Sequence, residues 1–433
     1  MTPSKEKFII RGGKKLKGTI EALGAKNAAL PILVAALLTK DECVIDNIPL
    51  IGDVFKMLGI LKSIGVEYKF IGKRKLRISA AKLDLKNIDY ALVAEIRSSV
   101  FLFGVLSTRF KRFALPKPGG CALGARILDP HIDALGEIGV AVVKKNGLYH
   151  ISKKKVKKRT VVLSEMSVTA TENILLSSAV SEGVTEIFGA ACEHYVQDVC
   201  HFLNAMGARI SGIGTHHLTI HGVPKLKGAR WSVMPDPIEM GTFIALAAAT
   251  HSHIVIRGTA PEFIRLELLK FKEANVTLKI RNERMVKSSW GYMLADIEVF
   301  PSRLRAVAKT HNMPYPGFSS DLLPIFAVLV TQAKGVSLIH DWMYEGRLKY
   351  IDELKRMGAD AFICDPHRAL ITGPTPLEGM DITGFDLRAG AALIIAALVA
   401  KGTTTIHSAY QADRGYEKIE ERLRKIGANI KRT

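Results

Sequence analysis

The chain has 433 residues, 48% hydrophobic and 24% charged; this is ordinary globular usage, which excludes a disordered chain and leaves room for two or three domains, each with a sizeable core. Its 61 Lys and Arg outnumber 41 Asp and Glu, a formal charge of +20, and such a balance favours anionic partners: nucleic acid, anionic lipid or phosphorylated small molecules. The stretch 1–13 has no apolar core of a signal peptide, and the longest apolar run, 389–400, falls well short of the roughly 20 residues that cross a bilayer.

Cys43, Cys121, Cys192, Cys200 and Cys364 are odd in number and scattered, so no disulfide framework is expected. A soluble protein in a reducing, cytoplasmic compartment is the expectation.

In chain order, apolar blocks stand at 28–38, 100–106, 243–249, 322–330 and 389–400, with a weaker one at 174–180. Blocks apolar on nearly all sides predict buried helices. Most precede a β-branched run, such as Val184-Thr185-Glu186-Ile187 and Thr403-Thr404-Thr405-Ile406, which predicts a strand. Amphipathic segments then end on Gly65, Gly139, Gly207, Asn275, Gly358 and Gly427, about every 70 residues, as left-handed helix caps require. The unit is apolar helix, strand, amphipathic helix, then one or two strands. Six copies predict an α/β protein of two three-repeat halves, with a boundary near 228–235. Neither a G-x-G-x-x-G turn after a first strand nor a G-x-x-x-x-G-K-[ST] loop is present.

The first residues with chemistry are Gly24-Ala25-Lys26-Asn27, where a lysine joins the amides of a helix start that suit an anion. A glycine turn with a solvated lysine is the plain alternative. Next comes Lys117-Pro118-Gly119-Gly120-Cys121-Ala122-Leu123-Gly124-Ala125-Arg126. Three glycines predict an exposed loop, and a cysteine between two cations gains thiolate character for a nucleophile or proton donor. The run 153–159, rich in lysine, is read as a solvated turn rather than a nucleic-acid patch. Cys192, His194, Cys200 and His201 have metal-like content, but their spacing fits no zinc pattern. Asp321, ahead of an apolar block, is either a helix N-cap or a general base. Glu345-Gly346-Arg347, Asp386-Leu387-Arg388 and Asp413-Arg414-Gly415-Tyr416-Glu417 are either structural ion pairs or parts of a phosphate and carboxylate clamp.

As an ordered set, Gly-Ala-Lys-Asn at 24–27, Pro-Gly-Gly-Cys at 118–121, Gly-Ala-Arg at 124–126 and Asp-Arg-Gly-Tyr-Glu at 413–417 resemble the enolpyruvyl transferase family. The resemblance runs from Phe8 to about Arg432, and its closest motifs are those of members acting on UDP-N-acetylglucosamine. It implies an inside-out α/β barrel of two domains with three βαβαββ-type repeats each. Residues 21–232 would form the first domain and 1–20 with 233–433 the second, the active site lying in the cleft between them. It also implies the transfer of enolpyruvate from phosphoenolpyruvate to the 3′-hydroxyl of UDP-N-acetylglucosamine, an early step of peptidoglycan synthesis, with no metal or organic cofactor.

By the same resemblance, Lys26, Asn27, Arg126, Arg347, Arg388 and Arg414 would bind phosphoenolpyruvate. Arg97, Arg126, Ile127, Leu128, Asp129, Pro130, His131, Ser167, Val168, Asp321 and Met343 would line the UDP-sugar site. Cys121 would be the proton donor and the target of fosfomycin, Asp321 the base, with Lys26 and Arg414 assisting. There are four departures from the family pattern: Glu165 replaces a lysine, Thr169 a glycine, Pro237 an arginine, and Gln411-Ala412 a His-Ile pair. A carboxylate near a diphosphate is unfavourable, so the nucleotide half is the altered one. A different acceptor, another nucleotide or shikimate 3-phosphate, is the second reading. A non-catalytic basic protein that binds nucleic acid is the third.

Overall fold

Residues 65, 139, 207, 275, 358 and 427 all have positive φ, from 60° at Asn275 to 103° at Gly207, so each amphipathic helix ends in the left-handed cap its residue permits. The computed structural model describes residues 6–120, 128–154, 158–286, 290–384 and 386–433. The chain opens with strands β1 (Lys7–Arg11) and β2 (Lys17–Glu21). Repeat one then runs α1 (Lys26–Ala35), β3 (Cys43–Asp46), α2 (Gly52–Ser63), β4 (Glu67–Gly72) and β5 (Lys75–Ser79), followed by a short helix α3 (Tyr90–Glu95). Repeat two is α4 (Phe101–Leu106), β6 (Arg112–Pro116), α5 (Asp129–Glu137), β7 (Val140–Lys145) and β8 (Leu148–Lys153). After β9 (Lys158–Val162), repeat three is α6 (Val168–Ser178), β10 (Val184–Phe188), α7 (His194–Ala205), β11 (Arg209–Ser211) and β12 (His217–His221).

The pattern resumes after β13 (Arg230–Ser232). Repeat four is α8 (Pro237–Ala249), β14 (His253–Thr259), α9 (Arg265–Glu273), β15 (Thr277–Met285) and β16 (Met293–Phe300). Repeat five follows β17 (Lys309–His311) with α10 (Leu323–Thr331), β18 (Gly335–His340), α11 (Tyr350–Arg356), β19 (Asp360–Asp365) and β20 (Arg368–Gly373). Repeat six follows β21 (Asp381–Thr383) with α12 (Leu387–Val399), β22 (Thr403–His407), α13 (Ile419–Lys425) and β23 (Asn429–Arg432).

Helices α1, α8, α10 and α12 are buried along almost their whole length, as runs without a polar face must be. Helix α6 begins six residues before the apolar block at 174–180, because Thr171, Glu172 and Asn173 are buried too. Five sheets share one plan, in which a strand pairs antiparallel with a hairpin and parallel with a fourth strand. The sheet of β6, β8 and β7 has no fourth strand among the described residues. In the last sheet β1, from the start of the chain, lies between β22 and β23. Three sheets draw on residues 43–232, and three on 7–21 together with 253–432.

The chain passes between these two sets of sheets twice, after β2 and after β13, and the two passages run side by side. Ala25 N donates to Met234 O (2.8 Å) and Asp236 N to Leu23 O (2.7 Å). A Cβ on Gly24 would lie 1.8 Å from Asn47 O, so the passage requires glycine there. On one flank, Asp198 of α7 accepts the indole N–H of Trp231 (3.1 Å) and of Trp290 (3.0 Å) on one oxygen, and Met234 N–H (3.2 Å) on the other.

The lysine-rich run 153–159 does not behave as a solvated turn at its ends. Lys153 Nζ donates to Ser181 Oγ (2.8 Å), and burial with the nearby Arg159 lowers its pKa to about 8. Arg159 is buried and donates to Glu182 O (2.9 Å). Both long side chains run inward along the sheet and leave their cationic ends on acceptors that need them.

Candidate active site

Two carboxylates organise the cationic residues. Asp53, in the first turn of α2, pairs with Lys26 Nζ (2.6 Å) at the start of α1 and with Arg414 Nε (3.1 Å). Burial works to raise the pKa of Asp53, but the charges of Lys26 and Arg414 outweigh it and hold it low. Asp321 pairs with Arg347 Nη2 (3.0 Å) through one oxygen and Arg388 Nε (2.9 Å) through the other. Here too burial opposes ionisation, and the two guanidiniums hold the carboxyl well below the usual range.

Asp321 is therefore no N-cap: the α10 cap position is Leu322, and no side chain caps it. Nor do the three acid–arginine neighbours of the sequence pair with each other. Glu345 is exposed while Arg347 goes to Asp321. Asp386 caps α12, accepting Arg388 N–H and Ala389 N–H. Asp413 binds Arg432 while Arg414 goes to Asp53. Adjacent side chains diverge at a helix start, so each arginine reaches a carboxylate more distant in the chain, from another repeat for Arg388 and Arg414 and from the start of its own repeat for Arg347.

Four cations thus share two carboxylates. Arg347 and Arg388 are 6% and 3% exposed, yet Arg347 Nε and Nη1 and Arg388 Nη1 are buried without a hydrogen-bond partner among the described residues. Unfilled buried donors are costly and mark a place for an anion. Arg388 also lies over the Tyr416 ring at 5.5 Å, and the Tyr416 hydroxyl meets Thr242 Oγ1 (2.8 Å). Asn27 is half-buried beside Lys26 on the first turn of α1.

Cys121, Arg126 and Ile127 lie outside the described residues. The stem of their loop is described, and a Cβ on Gly119 would lie 1.8 Å from Ala94 O, one on Gly120 2.9 Å from Arg97 Cβ. Gly119 and Gly120 thus pack closely against the segment that carries Arg97, which is half-buried at the start of a 3₁₀ turn, Arg97–Val100. Leu128 caps α5, Asp129 is exposed in its first turn, Pro130 occupies the first-turn position that needs no N–H, and His131 is 2% exposed.

His131 packs against α6. Its Nε2 meets Thr169 Oγ1 (3.0 Å) and its Nδ1 meets Asn173 Nδ2 (3.1 Å). Burial, with the charge of Arg97, lowers its pKa to about 3, so the ring is neutral. Ser167 caps α6 by accepting Ala170 N–H (3.4 Å), and Val168 follows half-buried. Met343 sits in a loop that Asn312 Oδ1 holds by accepting Trp342 N–H (2.7 Å) and Met343 N–H (3.3 Å). Buried Asp341 fixes that asparagine by accepting from its Nδ2 (2.7 Å).

Sequence reasoning missed Asp53, Asn173, Asn312 and Asp341. Only Asp53 carried a signal, an acid in the first turn of a helix, and that reads equally well as favourable helix electrostatics. The four residues Cys192, His194, Cys200 and His201 diverge: Cys200 is in the core, while His194 and His201 stack on Phe263 and Trp290.

A family model described as EPSP synthase (3-phosphoshikimate 1-carboxyvinyltransferase) matches residues 10–423. The chain belongs to this family of enolpyruvyl transferases. A protein of Treponema denticola is 39% identical over 98% of both chains, and one of Bradyrhizobium diazoefficiens is 40% identical over 98% of this chain and 97% of that one. Both carry the name UDP-N-acetylglucosamine 1-carboxyvinyltransferase. Among solved structures, the enolpyruvyl transferase NikO from Streptomyces tendae matches with a TM-score of 0.87 at 24% identity, over 100% of this chain and 99% of that one. EPSP synthase from Acinetobacter baumannii gives 0.75 at 19% identity, over 99% and 100%. The architecture is the enolpyruvyl transferase fold, mixed α/β built of repeated small sheets, as the sequence repeats require.

In this enolpyruvyl transferase the departures from the family pattern occupy distinct places. Glu165 is exposed on the approach to α6. Pro237 begins α8 under the cap of Asp236, which accepts Ile238 N–H (2.8 Å). Gln411 Oε1 accepts from Arg414 Nη1 at 3.4 Å, so an uncharged amide helps to hold that arginine. Thr169 touches His131.

Proposed function

We propose that this chain transfers the enolpyruvyl group of phosphoenolpyruvate to the 3′-hydroxyl of UDP-N-acetylglucosamine and releases phosphate, opening peptidoglycan precursor synthesis. The observation that carries this reading is the pair Arg347 and Arg388, buried, sharing Asp321 and keeping unfilled donors. With Lys26 and Arg414 they form a cationic surround for a small ligand bearing both phosphate and carboxylate. The identity to full-length relatives of that name supports the UDP-sugar as acceptor.

The two sets of sheets serve as two domains, 21–232 and 1–20 with 233–433, and the paired passages at 22–25 and 233–236 act as the hinge. Lys26, on the first helix after one passage, and Arg388, whose charge acts on Asp236 in the other, bring both cationic groups to that hinge.

In the reaction Cys121 gives its proton to C3 of phosphoenolpyruvate, and C2 takes on cationic character. The sugar 3′-oxygen bonds to C2 while its proton passes to Asp321. The tetrahedral intermediate then returns a proton from C3 to the Cys121 thiolate and the C2–O bond to phosphate breaks, its electron pair leaving on phosphate, which restores the double bond. Asp321 is a poor base while two guanidiniums hold it ionised. An anion that occupies those guanidiniums offsets their charge and raises the basicity of Asp321 only when the donor substrate is bound. The cations stabilise the departing phosphate.

None of the helices, among the described residues, is long and apolar enough to cross a membrane. A cytoplasmic site of action on small-molecule substrates, without a membrane or nucleic-acid partner, is part of the same proposal. Phosphate release from phosphoenolpyruvate is the test, with UDP-N-acetylglucosamine, shikimate 3-phosphate or no acceptor. Turnover with the UDP-sugar alone, lost in Cys121→Ala, is expected. Turnover only with another acceptor, or salt-sensitive nucleic-acid binding without phosphate release, would replace this reading.

A further inference from the structure

Thr169 is one of the four departures, and its hydroxyl has a single hydrogen-bond partner among the described residues, His131 Nε2 at 3.0 Å. The direction of that bond follows from the other side of the ring. Asn173 Oδ1 accepts Gly104 N–H (3.0 Å), so the atom facing Val100 O at 3.0 Å is the amide nitrogen. A flipped amide would set N–H against N–H and oxygen against oxygen. The same Nδ2 therefore donates to His131 Nδ1 at 3.1 Å, which must accept with its lone pair. A neutral imidazole that accepts at Nδ1 carries its hydrogen on Nε2. That hydrogen goes to Thr169 Oγ1, and the threonine's own proton remains available.

Thr169 is the second residue of α6 and only half-buried, directly after Ser167 and Val168. The first backbone N–H groups of a helix lack intrahelical partners, and Ser167 Oγ takes only that of Ala170. A hydroxyl forced to donate thus stands beside helix-start amides that lack intrahelical partners. Ordinary threonines rotate to accept or donate. This one is committed.

We infer that Thr169 is a specificity-determining residue of the acceptor subsite, its hydroxyl oriented by the Asn173–His131 chain to donate to a phosphate oxygen of the nucleotide sugar. The inference rests on the reading of the site as one for a nucleoside diphosphate sugar. Its physical content is that a side-chain donor stands where the family pattern has glycine, four residues after Glu165, a carboxylate where that pattern has a lysine. A donor locked before binding loses little orientational freedom on meeting the anion.

The test uses the full chain with Thr169→Val, Thr169→Ser and Thr169→Gly. Steady-state kinetics give KM for UDP-N-acetylglucosamine and for phosphoenolpyruvate separately, and calorimetry gives the Kd of the UDP-sugar alone. Loss of one hydrogen bond to a charged group predicts a rise of about 10- to 100-fold in KM and Kd for the UDP-sugar in the Val variant. Serine should stay near wild type, and KM for phosphoenolpyruvate should change by less than about twofold. A merely structural threonine would move both KM values together. Nitrogen-15 spectra of the wild type should show His131 as the neutral Nε2–H tautomer. Wild-type turnover with the UDP-sugar that the Val variant matches overturns the role of Thr169 alone, as does an Nδ1–H tautomer. Absence of UDP-sugar binding and turnover in the wild type overturns the acceptor assignment and this inference with it.

Discussion

Replacing Asp321 by asparagine keeps the shape of the side chain and removes the one negative charge that Arg347 and Arg388 share. In the wild type its two oxygens accept from Arg347 at 3.0 Å and Arg388 at 2.9 Å, and those side chains are 3% and 4% exposed. The amide offers one acceptor oxygen and turns an NH₂ group toward the second guanidinium. Breaking a buried pair typically costs about 3–5 kcal/mol because a charge is left uncompensated. The Asp321 side chain is 27% exposed, and partial access to water places the loss at the lower end, about 3 kcal/mol.

For a folding unit of roughly 200 residues that is a fall of about 6–12 °C in Tm. Loss of the proton acceptor should lower kcat by about 10²–10⁴-fold. A further consequence distinguishes this account from simple damage. With Asp321 gone the arginines are free for an anion, so phosphoenolpyruvate should raise Tm more in Asp321→Asn than in wild type. Differential scanning fluorimetry with and without phosphoenolpyruvate reads both effects. A variant with unchanged Tm and an unchanged ligand-induced shift would refute the reasoning, and would show that Asp386 or Asp236 already balances the arginines.

Asp53→Asn should lower kcat/KM for phosphoenolpyruvate by about 10- to 100-fold, since Lys26 and Arg414 lose their common anchor; steady-state kinetics showing no change would place that cluster outside the site. Asp198→Asn concerns the flank of the passage at 231–234. Burial raises Asp198 to about 7, against the N–H bonds of Met234, Trp231 and Trp290. The folded state then holds that proton more tightly than the unfolded state, so the group's contribution is full below about pH 4 and is lost as the pH rises through 7. Wild-type stability relative to the variant should therefore fall by up to about 4 kcal/mol between pH 4 and 8 in urea titrations, and a pH-independent difference would contradict it. Fosfomycin should add one adduct by mass spectrometry, absent in Cys121→Ala. Cys43 and Cys200 are buried and burial raises Cys192 to about 11, so an adduct that survives the substitution would move the reactive thiol elsewhere.

Much of this molecule was open to reading from the amino acids in order. Six glycine or asparagine caps, six apolar blocks and the strands between them are local properties, fixed by backbone sterics and by side-chain periodicity over a few turns. They specify the repeat and hence the fold. The motifs at 24–27, 118–126 and 413–417 pointed to the donor chemistry because each keeps its residues within one short stretch of sequence.

Partnership was decided by the tertiary structure. Arg347, Arg388 and Arg414 stand next to acids in the chain, but each turns to a more distant carboxylate, for Arg388 and Arg414 one from another repeat, because neighbouring side chains at a helix start diverge. Asp53 belongs to none of the sequence motifs, yet its side chain lies 4% exposed between two cations. The run 153–159 looked solvated, while Arg159 is buried on a carbonyl. Thr169 was a mere replacement until His131 and Asn173 gave its hydroxyl a direction. Charge and hydrogen bonding act through space over a few ångströms, and only the packing of the repeats brings residues separated by dozens or hundreds of positions within that range.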